Sequence, residues 1–157
     1  MFQTNLQMEE AYRFSRFDIS NPLASCSAHP IVLEDRNWTT CEHYVQVKIL
    51  RSKSQADYAD KLPTAEQVIA YAKSWFRLKI PNHKKILPVL MTRALYTKVQ
   101  MYDEVKDALL ATGDNLIIEG SQYDYFWGVG RDLRGYNHLG KTWMNIRDKI
   151  KQDAKAG

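Results

Sequence analysis

The chain has 157 residues, 45% of them hydrophobic, which suits one domain with a single substantial core. No apolar run approaches the length of a membrane span, and Met1-Phe2-Gln3-Thr4-Asn5 lacks the basic start and apolar centre of a signal peptide, so a soluble, cytoplasmic protein with no membrane partner is expected. A formal charge of +4, from 22 basic and 18 acidic residues, gives a mixed surface that suits an anionic small ligand as well as nucleic acid; Cys26 and Cys41 read as reduced thiols and supply no metal motif.

Residues 1 to about 27 carry little periodicity, and Asn21-Pro22 marks a turn, which predicts an arm draped over the body. Ile31-Val32-Leu33-Glu34 and Asn37-Trp38-Thr39 flank Asp35-Arg36 and predict two short strands joined by a tight turn. Directly afterwards, Thr39-Thr40-Cys41-Glu42-His43-Tyr44 sets a carboxylate, an imidazole and a phenol at a helix start, where a strand end holds the first side chains rigidly at an open edge. Glu42 has two readings there: a reactive carboxylate, or the third helical residue of a Thr39-x-x-Glu42 capping box. His43 reads as a packed or surface histidine rather than a ligand, and Cys41, two residues away, does not share its helix face.

Ser52 to Lys61 is polar and either continues that helix or breaks it, and Pro63 closes the segment. Thr64-Ala65-Glu66-Gln67 is a second capping-box pattern, followed at helical spacing by Val68, Ile69, Ala72, Trp75 and Phe76, which predicts a helix to about Phe76. After Pro81-Asn82, Pro88 fits the first turn of a core helix carrying Leu87, Leu90, Met91, Ala94, Leu95 and Val99. Asp103 to Ala111 forms a short helix capped by Gly113, and Asn115 to Glu119 a short buried strand. Gly120 to Gly140 is a long loop rich in aromatics, hence functional rather than disordered, and a last helix runs from Lys141 to about Gln152 with Trp143, Ile146 and Ile150 inward.

Within the loop, Asp124 lies among Tyr123, Tyr125, Phe126 and Trp127, with Gly128 and Gly130 following to let a ligand approach the backbone. Aromatics around a carboxylate suit a flat heterocycle, and two carboxyls in unlike environments are the equipment for breaking a glycosidic bond. The plainer reading is that these aromatics are core and Asp124 caps a turn.

From about Asn21 to Arg147 these pieces resemble, in order, the motifs of the NADAR superfamily, whose bacterial branch includes the YbiA-like N-glycosidases. They are Trp38 with Thr40-Cys41-Glu42-His43-Tyr44 and Gln46; Ala72 with Arg77; Met91, Ala94-Leu95 and Lys98; and Leu109-Leu110-Ala111-Thr112 with Glu119. Asp124-x-x-Trp127-Gly128 and Asn137-x-Leu139-Gly140, with Met144 and Arg147, complete the series. The resemblance implies an α+β fold, a mostly helical single domain (1–157) around a small sheet, with residues 1–20 a poorly matched arm. It implies an N-glycosidase acting on a ribosylated small molecule, either phosphoribosylated riboflavin-pathway intermediates or ADP-ribosylated guanine, the latter bringing ADP-ribosylated nucleic acid as a partner. It implies no metal and no cofactor. By position, Glu42 and Asp124 resemble catalytic residues, and Trp38, Tyr44, Lys73, Arg77, Trp127, Gly128 and Asn137 substrate-binding ones.

Tyr44 and Trp127 would hold the sugar or base by stacking, and Arg77 or Lys73 would pair a phosphate. Three departures leave the substrate branch open: Phe76 stands where the family has glycine before Arg77, His83 where tryptophan is common, and Ile19-Ser20-Asn21-Pro22 replaces an aromatic-rich entry motif. The alternative function is a module that binds ADP-ribose or a nucleotide without cleaving it. A plain nucleic-acid binder is disfavoured by the even charge.

Overall fold

In the computed structural model, which describes residues 5–157, the apolar positions of the chain converge on one helix, α2 (Cys41–Ile49). Every residue of α2 except Lys48 is buried, because α4 (Ala65–Lys73), α5 (His83–Met101) and α3 (Lys53–Asp60) all pack against it. The order begins with α1 (Asn5–Glu9), β1 (Tyr12–Phe14), β2 (Ile31–Leu33) and β3 (Arg36–Trp38), and after α5 continues with α6 (Asp103–Ala111), β4 (Ile117–Glu119) and α7 (His138–Ala156). This is the expected α+β class, with the sheet divided into two strand pairs. β2 and β3 form an antiparallel hairpin, and β1 pairs in parallel with β4, Tyr12 opposite Ile117 and Phe14 opposite Glu119.

The arm is therefore partly structural: Tyr12–Phe14 completes a pair with a strand far along the chain and carries residues 15–27 across the body. Residues 1–4 of the expected arm lie outside the described residues. The hairpin turn falls on Glu34-Asp35, one residue before the expected Asp35-Arg36, and both residues take φ +58. That double left-handed conformation matches the twist of a two-residue hairpin.

The start of α2 also shifts by one. Thr40, not Thr39, is the N-cap, its Oγ1 accepting the His43 N–H at 3.2 Å, so Glu42 is not the reciprocal member of a capping box. Thr64 and Gln67 do form such a box at the head of α4, with both reciprocal bonds present. α4 ends at Lys73 rather than Phe76, because Ser74 takes an extended ψ of 133 that carries Trp75 and Phe76 out to the surface. α5 begins at His83, so Pro88 lies inside the helix instead of in its first turn, where it removes one backbone donor from the ladder. Gly113 follows α6 at φ +63 as expected. α7 starts at His138, three residues early, because Asn137 adopts the left-handed conformation at φ +54 and turns the chain directly into the helix. Its Leu139, Trp143 and Ile146 pack into the core shared with α5 and β4.

Candidate active site

Between α4 and the start of α5 on one side and the loop after β4 on the other lies a cleft of about 1130 Å³. Arg16 and Phe17, Asp124 and Trp127 line it, with Tyr123, Tyr125, Phe126, Tyr136 and His138 as aromatic walls. Ile69, Lys73, His83, Lys84 and Leu87 face in from the two helices. One side is thus rich in flat rings, and the other supplies two lysines suited to an anionic group.

Behind the cleft, Glu42 has no exposed surface. Its Oε1 accepts from Arg16 Nη2 and from Ser25 Oγ, each at 2.7 Å, and its Oε2 accepts from Gln46 Nε2, one helical turn on, at 3.1 Å. Arg16 Nη1 donates to Asp124 Oδ2 at 2.9 Å, so one guanidinium joins both carboxylates. That bridge keeps them within the roughly 10 Å that carboxyl pairs acting across one glycosidic bond span. Burial disfavours the charge on Arg16, but Glu42 and Asp124 outweigh it and hold the guanidinium pKa above its ordinary value. Arg16 also lies over the Trp127 ring, 5.7 Å from its centroid.

Asp124 has a second task. Its Oδ1 accepts from the backbone N–H of Phe126 at 3.1 Å and of Trp127 at 2.8 Å, so the turn that presents Trp127 is built on the same side chain that meets Arg16. Trp127 is buried, with the cleft at one face and Phe126 edge-on at 4.8 Å. Gly128 sits where a Cβ would come within 2.8 Å of the Glu119 carbonyl oxygen and 2.9 Å of the Asp124 carbonyl oxygen, so the loop closes this tightly only on glycine.

Glu119, at the end of β4, is a third carboxyl beside the pair and, like Glu42, is fully buried. Burial pushes its pKa up, although Ser121 donates to it from both its backbone N–H and its hydroxyl. His138 stacks parallel to Tyr136, ring centroids 5.3 Å apart, and burial, with the nearby charge of Lys141, lowers its pKa. His43 is packed as expected: its Nε2 donates to the Leu62 carbonyl at 2.7 Å, leaving Nδ1 to accept from the Thr40 hydroxyl at 2.8 Å.

Of the residues singled out in the sequence, Glu42, Asp124 and Trp127 meet through Arg16, Gly128 packs against the backbone carbonyls of Asp124 and Glu119, and Lys73 lines the opposite side of the cleft. The others lie elsewhere. Trp38 donates its indole N–H to Leu33 O at 3.0 Å and packs edge-on against Tyr44, whose hydroxyl points to Glu34 on the hairpin; neither lines the cleft. Arg77 lies between the rings of Tyr71 and Phe76, 4.0 and 4.1 Å from their centroids, and is likewise not among the lining residues. Asn137 fastens α7 to β4, accepting from the Glu119 N–H at 3.0 Å and donating to Ile117 O at 3.0 Å.

Sequence reasoning missed Arg16, Ser25 and His138, and gave Glu119 no role. A single arginine and a serine in a segment without periodicity offer no signal of where their side chains arrive. Among the described residues no group of three or more His, Cys, Asp or Glu side chains is arranged to hold a metal ion, and no helix is long and apolar enough to cross a membrane.

The chain is similar to several known proteins. An N-glycosidase of Nostoc punctiforme is 34% identical over 128 residues, spanning 80% of this chain and 82% of the relative. The chloroplastic riboflavin biosynthesis protein PYRR of Zea mays is 26% identical over 160 residues, which cover 87% of this chain but 24% of that longer protein. The NMR structure of the E. coli protein YbiA superposes with a TM-score of 0.84 at 22% identity, covering 94% of this chain and 88% of that one, and so shares the fold. The NADAR domain model matches residues 2–151, from the arm that supplies Arg16 to the core of α7, and the chain belongs to the NADAR domain family.

Proposed function

We propose that the protein is a hydrolase that cleaves the N-glycosidic bond of a ribosylated substrate. One observation carries the reading: two carboxylates, Glu42 and Asp124, share a single buried guanidinium at the floor of an aromatic-walled cleft. Two negative charges against one positive leave that floor with an excess of negative charge. Hydrolysis passes through an oxocarbenium-like ribosyl cation, and a fixed negative charge in a site that excludes water stabilises such a cation far more than in bulk solvent. Water then adds its hydroxyl to the anomeric carbon, and its other proton accompanies the departing nitrogen.

Asp124, at the cleft surface, is positioned to orient that water, while Glu42 contributes its charge from behind Arg16. Trp127 supplies a face for the sugar or base, Tyr136 and His138 a stacked pair for a heterocycle, and Lys73 and Lys84 the counter-charge for a phosphate. The substrate classes that fit are phosphoribosylated riboflavin-pathway intermediates and ADP-ribosylated guanine. The name of the Zea mays relative supports the first, and a cleft of about 1130 Å³ lined by both aromatic rings and lysines suits either.

A second reading draws on the complete burial of Glu42 behind Arg16: the cleft binds an ADP-ribosyl or nucleotide group without cleaving it. Incubation of the protein with phosphoribosyl-pyrimidine intermediates and with ADP-ribosylated guanosine separates the two. Release of ribose phosphate or ADP-ribose at a rate proportional to protein supports the hydrolase. Saturable binding of either compound with no product over many hours supports the binding module instead.

A further inference from the structure

Arg16 belongs to none of the motifs that carry the family resemblance, yet it is the residue through which the two candidate catalytic carboxylates meet. It enters from the segment between β1 and β2, and only 4% of it is exposed. Its backbone is tied on both sides: its carbonyl accepts from the Cys26 N–H at 3.1 Å, and its N–H points to Glu119 Oε2 at 3.5 Å. The side chain has little freedom of its own. The rings of Phe17 and Trp127 lie 5.1 and 5.7 Å from it, and its Nε, although buried, has no hydrogen-bond partner. Its hold therefore rests on the two terminal nitrogens, one on each carboxylate.

Two carboxylates brought to one poorly solvated floor repel each other, and the repulsion grows as water is excluded. A planar guanidinium answers this with charge and with geometry, since its donors are fixed relative to each other and set the carboxylates at one spacing. An ammonium would supply the charge without the fork. We infer that Arg16 is the positioning residue of this site, fixing Glu42 and Asp124 relative to each other and to Trp127. It acts through the carboxylates rather than on the reacting atoms. The inference rests on the hydrolase reading for its catalytic consequence, but its structural half is testable without any substrate.

The substrate-free arm compares urea midpoints for the wild type, Arg16→Met, the Glu42→Gln/Asp124→Asn pair and the triple variant. Arg16→Met should lower the midpoint clearly in the wild-type background. It should lower it by less than half as much, or raise it, where both carboxylates are already amides. An equal loss in both backgrounds overturns the inference, because it makes Arg16 a packing residue indifferent to the two charges. Should Arg16→Met fail to fold, Arg16→Lys takes its place in both backgrounds with the same two outcomes.

The kinetic arm uses whichever ribosylated compound the wild type hydrolyses. Misplaced carboxylates should reduce kcat by about a hundredfold in Arg16→Met with KM changed by less than about threefold. Arg16→Lys should stay at least about tenfold below wild type, because it restores charge without the two-pronged geometry. A variant with wild-type kcat and a raised KM would make Arg16 a substrate contact instead and overturn the positioning role. Coupled midpoints together with a wild type that hydrolyses nothing would sink the hydrolase reading while leaving the pairing intact.

Discussion

Asp124 carries two structural duties that substitution can separate. Its Oδ1 caps the turn through the Phe126 and Trp127 amides, and its Oδ2 neutralises half of Arg16. Asp124→Ala removes both acceptor oxygens, and with them three hydrogen bonds, and leaves a buried guanidinium with only Glu42 as a hydrogen-bond partner. Breaking one side of a buried ion pair costs about 3–5 kcal/mol, and with the Asp124 side chain 17% exposed, solvent reaches the site, so we place the loss near the lower figure, about 3 kcal/mol. Against a total stability of about 5–15 kcal/mol, this is a large fraction. Asp124→Asn keeps its one oxygen for the two turn amides and turns its amide NH2 toward Arg16, donor facing donor, which should cost about 2 kcal/mol, the scale of one lost hydrogen bond to a charged group. Urea unfolding followed by tryptophan fluorescence resolves the two, provided the m-values agree. A loss below about 1 kcal/mol for Asp124→Ala would refute the reasoning, because it would mean that neither the turn nor Arg16 depends on this carboxylate.

Trp127→Ala should weaken substrate binding by about 1–3 kcal/mol, as loss of a stacking face does, and an inhibition titration with ribose 5-phosphate or ADP-ribose reads it; unchanged affinity in folded protein would assign Trp127 to the core alone. Glu119 supplies a pH prediction. Burial raises its pKa in the folded protein, so the folded state binds the proton more tightly than the unfolded chain, whose glutamate titrates near about 4.3. The resulting stabilisation is complete below that unfolded value and is lost as pH rises through the folded one. Glu119→Gln should therefore flatten the stability profile above about pH 4.3 and be at least as stable as wild type at pH 7, a result that urea midpoints across pH check directly. Asn137→Leu should cost about 2–4 kcal/mol by leaving the Glu119 N–H and Ile117 carbonyl buried without partners, with KM unchanged; a raised KM at normal stability would return Asn137 to the substrate.

Local patterns were legible wherever one residue type performs one task over a few positions. The Thr64–Gln67 capping box and the α6–Gly113 terminus follow from short-range preferences and stand where the pattern set them, while the β2–β3 hairpin forms with its turn one residue early and buried β4 forms over only the last three of its five expected residues. Errors arose where neighbours compete for the same task. Thr39 and Thr40 can each cap a helix, and the choice fell to the residue whose hydroxyl also meets His43. Trp75 and Phe76 continue the helical spacing of α4 but leave it at Ser74, and the exposed Trp75 shows that the periodicity there reflected no buried face.

The site was legible as a list and not as an arrangement. Glu42, Asp124 and Trp127 were recognisable from their motifs, whereas the guanidinium that joins them comes from a segment whose strand pairs with a partner over a hundred positions later. Trp38 and Tyr44 have the residue types of a stacking wall, yet their polar atoms are taken up by Leu33 and Glu34 on the hairpin. No local pattern distinguishes an aromatic that faces a cleft from one that faces a core.

The central claim is that the charge on Glu42 drives turnover although the residue is fully buried behind Arg16. Glu42→Gln retains size and can still accept from Ser25, so the fold should survive while the excess negative charge at the cleft floor disappears. The decisive measurement is the initial rate of ribosyl product release by wild type and Glu42→Gln, at matched concentrations of protein whose unfolding m-values agree. The account predicts a fall in kcat of roughly a hundredfold or more, the scale of removing one preorganised electrostatic partner from a transition state. Turnover by Glu42→Gln within about threefold of wild type would contradict it.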